Sequence, residues 1–219
     1  GSFAAGIDGL AGISAEEVTI QYTNATTSVD AATEIGVADL TYTFDNAIAA
    51  NTIAFVARGF SANVADFVTL SGDLGFSQIG SDIVAVGNDV SASLAAGPVF
   101  VRLNEADFGL VVGEGSTAFE LKNGSFEAGI EGLAGISADE VIVQYTNATT
   151  TVAADTTIQV VDLGYTFEQG IEANTIAFGV KGFSANVADF VTLSGDLGFK
   201  KQGTDIIAVG NNVTAALEA

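Results

Sequence analysis

The sequence predicts an all-β protein, an elongated array of antiparallel strands in tandem repeats, with a β-solenoid as the alternative architecture. Three observations predict it. Apolar and polar residues alternate with period two along most of the chain, as half-buried strands require. Short glycine-bearing turn signals separate these stretches, which favours hairpins over the long crossovers that parallel strands need. Finally, the chain repeats itself: residues 124–219 laid over residues 1–96 need no gap and give 68 identities in 96 positions, about 71 %.

The repeat sets the organisation, because self-similarity at a fixed period marks an array of like units. Gly59 to Phe76 recurs unchanged as Gly182 to Phe199, and Gln21 to Thr27 recurs as Gln144 to Thr150, both at an offset of 123. Residues 97–123 occur once. The reading is therefore one repeat over 1–123 and a second, truncated repeat over 124–219. A fainter parallel between Phe60–Ser71 and Phe126–Ser137 divides the period into half-units 3–59 and 60–125.

Along the chain, Ser14-Ala15-Glu16-Glu17 has the look of a helix N-cap, but the strand-like Val18-Thr19-Ile20-Gln21-Tyr22 follows at once. One short helical turn is the most expected there, and again at Ser137–Glu140. Asn24–Thr27 reads as a hairpin loop. Val68, Leu70, Leu74 and Phe76 share one strand face, with Thr69, Ser71 and Asp73 opposite. Ser77–Ser81 reads as the next loop. Val90, Ala92 and Leu94 alternate with Ser91 and Ser93, then Val99, Val101 and Leu103 with Arg102 and Asn104. Gly113–Thr117 between Leu110-Val111-Val112 and Ala118–Leu121 is a hairpin signal, since glycine supplies the positive φ of a tight turn. Gly72 and Gly87, inside strands, fit bulges or bends.

Composition narrows the function. With 6 Lys+Arg against 27 Asp+Glu, the net charge is −21, and Cys, His, Met and Trp are absent. No disulfide, thiolate nucleophile, imidazole-bound metal or serine–histidine catalysis is available. Binding to nucleic acid is not expected, because phosphate would be repelled. No apolar run approaches the ~18–20 residues that span a bilayer as a helix, so membrane insertion is not expected. Catalysis is not expected either, since paired carboxylates would have to act in a glycosidase manner without an aromatic-lined cleft.

Candidate metal ligands are the carboxylates Asp66, Asp73, Asp82 and Asp89, with Asp189, Asp196 and Asp205 in the second copy. The run GSDIVAVGNDV around Asp82 and Asp89 partly resembles the calcium-binding nonapeptides of secreted RTX proteins. It lacks the paired glycines that let carbonyls and carboxylates wrap a hard cation. The expectation is no cofactor, with Ca²⁺ as the one candidate. Candidate self-association edges are Phe3, Ile7 and Leu10 at the start and Ile206, Val213 and Leu217 at the end, because the second copy lacks a counterpart of 97–123. An unpaired apolar edge is a template for another strand.

The cadence FxAxφxxLxxφS, the hairpin FGLVVGEGSTAFEL and the loop IQYTNATT resemble tandem units of very large bacterial secreted adhesin-like and surface-fibre proteins. The resemblance covers essentially the whole chain. It implies an acidic, extracellular or cell-surface structural protein that acts as a spacer or self-assembling unit of an adhesin, filament or surface layer. Its partners would be neighbouring copies or repeats, head to tail, and glycans are a further possibility. The alternative function is a glycan- or calcium-binding module on the same scaffold.

Overall fold

The computed structural model describes residues 1–65, 67–188 and 190–218. Every regular element among them is a strand. β1 (Phe3–Ile7) turns back into β2 (Ala11–Ala15), which pauses at Glu16 and resumes as β3 (Glu17–Thr23). Residues 24–51 then leave the sheet and carry a small separate hairpin, β4 (Glu34–Val37) and β5 (Leu40–Thr43). The chain returns as β6 (Thr52–Val64), whose Thr52 pairs with Thr23, the residue it left from.

Short turns join β6 to β7 (Val68–Ile79), β8 (Asp82–Ala96) and β9 (Val99–Gly113). β10 (Ser116–Lys122) and β11 (Ser125–Ile130) follow as one strand interrupted at Asn123 and Gly124, both laddered to β9. β12 (Ala134–Ala138) and β13 (Glu140–Thr146) form the next interrupted strand. Residues 147–174 make a second excursion with its own hairpin, β14 (Thr156–Val160) and β15 (Leu163–Phe167). β16 (Thr175–Val187), β17 (Val191–Gln202) and β18 (Asp205–Leu217) complete the sheet.

The ladders between these strands are all antiparallel, and once each interrupted strand is counted as one and the two excursions are set aside, neighbours in sequence are neighbours in the sheet. The fold is thus an antiparallel meander, not the stacked parallel coils of a solenoid and not a closed barrel. β2, β3, β6 and β7 recur as β12, β13, β16 and β17, each with both bounds shifted by 123.

Glycine turns close the predicted hairpins. Gly115, at φ +73°, turns β9 into β10, and Gly80, at φ +64°, turns β7 into β8. Two local expectations are corrected. Ser14–Glu17 and Ser137–Glu140 form no helical turn; they are the breaks between β2 and β3 and between β12 and β13, where one long strand steps across a bulge in its neighbour. Asn24–Thr27 does not close a hairpin but opens the 24–51 excursion.

A line of bulges crosses the sheet at mid-height. The register shifts between Ala57 and Phe60 on β6, between Ser71 and Asp73 on β7, and twice between Gly87 and Ala92 on β8. The extra residues adopt positive φ: Gly59 at 56°, Asp89 at 53° and Glu105 at 53°. An added residue on one strand bends and twists it, so successive bulges bend every long strand at the same level. Asp73 caps the first of them, accepting from Gly59 N at 2.8 Å and from the Arg58 guanidinium at 3.3 Å.

Candidate functional site: a hairpin of one copy docked on the sheet of the other

The main apolar core lies between the two copies. β14 packs over β6, β7 and β8, and β15 over β7, β8 and β9. The hairpin contributes Val160, Leu163, Tyr165, Phe167 and, just beyond it, Ile171; the sheet contributes Ala54, Val56 and Val86. Alternation dictates this face: Ile158 and Val160 on β14, and Leu163, Tyr165 and Phe167 on β15, all point the same way.

Small residues on the sheet make room. A Cβ at Gly75 would sit 3.0 Å from Val160 Cβ, and one at Gly109 would sit 2.3 Å from Tyr165 Cδ1. Both are close-approach glycines, where any larger side chain would lift the hairpin off the sheet.

A polar clamp holds one end. Glu120 on β10 is buried, and its two oxygens accept from the Tyr165 hydroxyl and from Gln144 Nε2, each at 2.8 Å. Burial, followed by the Glu120 carboxylate at that hydroxyl, pushes Tyr165 well above the ordinary phenol range. Lys122 Nζ donates to Thr166 O at 3.0 Å and to Glu168 Oε1 at 2.7 Å, and lies over the Tyr165 ring. At the other end, Arg58 reaches Asp162 in the hairpin turn at 3.1 Å.

No family model, curated protein or solved structure matches the chain. The site is therefore read from its own geometry, and the internal repeat supplies the comparison.

Each docked residue has a counterpart at an offset of 123. Ile158, Val160, Leu163, Tyr165, Phe167 and Ile171 correspond to Ile35, Val37, Leu40, Tyr42, Phe44 and Ile48, with every identity retained. Ile48 is buried as Ile171 is, but the hairpin residues differ sharply. Val160 is 1 % exposed and Val37 76 %; Leu163 is 2 % exposed and Leu40 79 %. The sheet face behaves alike: Val86 is fully buried, whereas its counterpart Val209 is 59 % exposed. Among the described residues the first hairpin packs on no sheet face and the second sheet face carries no hairpin.

The predicted edge residues lie at the two ends of the meander. β1 is paired only to β2, β3 only to β6 and β18 only to β17. Phe3, Ile7 and Leu10, and Ile206, Val213 and Leu217, are all half or more exposed there. Inside the chain, β9 separates β8 from β11, so the counterparts β18 and β1 would have one strand between them in a continuous array.

The predicted metal ligands are dispersed. Asp66 and Asp189 lie outside the described residues. Asp73 and Asp196 cap bulges, through Gly59 N and Gly182 N. The Asp89 N–H donates to Asp107 Oδ1 at 3.0 Å. Asp82 starts β8 beside Ser81, and Asp205 starts β18. Among the described residues no three acidic side chains converge in a way that could hold a metal ion.

Sequence reading missed the hairpin core. The signal was present as alternation, Ile35 and Val37 followed by Leu40, Tyr42 and Phe44, around the Ala38-Asp39 turn.

Proposed function

We propose that this chain is a structural repeat segment of an extracellular adhesin, filament or surface-layer protein, a spacer whose units hold one another end to end. The observation that carries this reading is the placement of the core. Its largest buried side chains, Phe167 and Ile171, come from one copy and cover Val56 and Val86 of the other. In a repeat array, stability is the sum of unit and neighbour-interface contributions. A chain that puts its best-packed residues at the junction gains from each further repeat.

The lack of Cys and Met suits an oxidising exterior. Two near-identical copies suit a repeated displacement along a rod better than a single catalytic centre. The test is solution scattering from chains carrying one, two and three additional 123-residue repeats. The maximum dimension should grow by a constant increment per repeat, and the unfolding midpoint should rise with repeat number. A dimension that stays nearly constant, as in a compact particle, would overturn the reading.

A further inference from the structure

The unpartnered β4–β5 hairpin and the uncovered face of β16–β18 are two halves of a contact the chain already makes once. We propose that the β4–β5 hairpin is a plug for a second copy of this chain. Ile35, Val37 and Leu40 seat on the β16–β18 face around Gly198 and Val209. This repeats between molecules what β14–β15 does on β6–β8 within one. The inference rests on the proposal of a self-associating structural repeat and names the surface by which it associates.

The plug is already folded. The Tyr42 and Phe44 rings meet edge to face at 5.2 Å, as do Tyr165 and Phe167 in the docked hairpin. Val29 bridges Ile48 as Val152 bridges Ile171. Ala32 N donates to Phe44 O at 2.7 Å, matching Asp155 N to Phe167 O at 2.8 Å. A surface held in its bound form loses little freedom on binding.

The socket matches in part. Ala54, Gly75, Val86 and Asn88 recur as Ala177, Gly198, Val209 and Asn211, whereas Val56 is replaced by Gly179 and Gly109 and Glu120 have no counterpart. Above Gly75 lie Val160 and Leu163; a Cβ at Gly198 would meet only Val209. β14 rests on β6, β7 and β8, and the counterparts β16, β17 and β18 are all in place.

Charge favours the same pairing. Residues 24–51 carry Asp30, Glu34, Asp39 and Asp45 and no basic residue, while the chain's six Lys+Arg include Lys181 and Lys200 on the socket strands. Lys181, which pairs with Glu140 in this chain, stands where Arg58 does, and Asp39 where Asp162 does, so Asp39 of a second copy would join that pair as Asp162 joins Arg58 and Asp73. Lys200 replaces Ser77, which is buried in the first copy, and pairs with Glu172, so the second socket carries a charged pair where the first has a small hydroxyl.

The chain has no Cys, so single introduced cysteines report the contact directly. Val86 Cγ2 and Val160 Cβ lie 2.9 and 3.0 Å from the Gly75 Cβ position, so the counterparts Val209 and Val37 would meet in the docked pair, and replacing valine by cysteine adds no bulk. With oxidised glutathione as oxidant, a Val209→Cys chain mixed with a Val37→Cys chain should form a mixed disulfide on the order of 100-fold faster than Ile20→Cys mixed with Val37→Cys, because docking raises the effective concentration. Adding Leu40→Asp to the Val37→Cys chain should abolish the difference, and circular dichroism of each variant should stay β. Cross-linking at the control rate by folded variants would overturn the plug. Light scattering of the unaltered chain separates the two ideas. Mass rising with concentration while cross-linking stays at the control rate leaves self-association standing and removes the plug. Constant monomer mass together with control-rate cross-linking removes both. Specific cross-linking at any mass supports the plug.

Discussion

Tyr165 donates a hydrogen bond to Oε1 of Glu120 at 2.8 Å, and that bond links the hairpin of one copy to the strand that closes the other. Its counterpart, Tyr42, has the same neighbours within its hairpin but is 57 % exposed. The pair allows each substitution to be read against an internal control. Glu120→Ala should cost about 2–3 kcal/mol in urea unfolding, since it leaves the buried Tyr165 hydroxyl without its acceptor and Gln144 Nε2 with Gly170 O alone. Tyr165→Phe should cost about 1–2 kcal/mol. Tyr42→Phe should stay within about 0.5 kcal/mol, the range of ordinary surface changes.

The same contact sets an alkaline limit. Tyr165 is raised above the ordinary tyrosine value of 10.0 by burial and by Glu120. A raised folded value means the native state holds its proton after the unfolded chain has released it. The stabilisation is therefore fully present below pH ~10 and is lost above it, by about 1.4 kcal/mol per pH unit for one proton. Urea unfolding from pH 9 to 11 should show this slope, and Tyr165→Phe should remove its share of it.

Packing substitutions should separate in the same way. Leu163→Ala should cost about 2–4 kcal/mol by opening a cavity in the core, whereas Leu40→Ala should be nearly silent at about 0.5 kcal/mol. Gly75→Ala would push Val160 off the sheet and should cost about 1–3 kcal/mol. Gly198→Ala displaces only an exposed Val209 methyl and should be milder. Equal costs at the two members of either pair would contradict the placement of the core.

The local strand pattern was legible in the sequence because it depends on neighbours. Val90, Ala92 and Leu94 alternate with serines, and the Gly113–Thr117 turn carries its glycine, so those strands and that hairpin follow from period and turn chemistry. The break at Glu16 was not legible. Ser14-Ala15-Glu16-Glu17 resembles a helix cap locally, and only the bulge at Arg58–Gly59 on the neighbouring strand explains why the chain steps there instead. The site was hidden for a similar reason. Ile35 and Ile158 are the same residue in nearly the same local setting, and only the sheet packed beneath one of them makes it core.

Calcium should not be required for folding. Asp73 and Asp196 spend their carboxylates on bulge N–H groups, and no three acidic side chains converge among the described residues. The thermal midpoint followed by circular dichroism should be the same in chelator and in millimolar Ca²⁺. Asp73→Ala should lower it in both, through loss of the Gly59 and Arg58 contacts, at about 1 kcal/mol. Folding that appears only on adding Ca²⁺ would contradict this.

The account's central claim is that one copy completes the next. Among the described residues β18 pairs on one edge only, with β17, whereas the corresponding strand in the first copy, β8, is also paired to β9, which leads on through β10 to the following unit. Appending a copy of residues 97–123 after Ala219 supplies both strands at once. Static light scattering across a concentration series tests the claim most directly. The extended chain should form assemblies whose mass climbs with concentration and exceeds that of the unextended chain at every point, as open head-to-tail association requires. Both chains remaining at monomer mass at the highest concentration would contradict it.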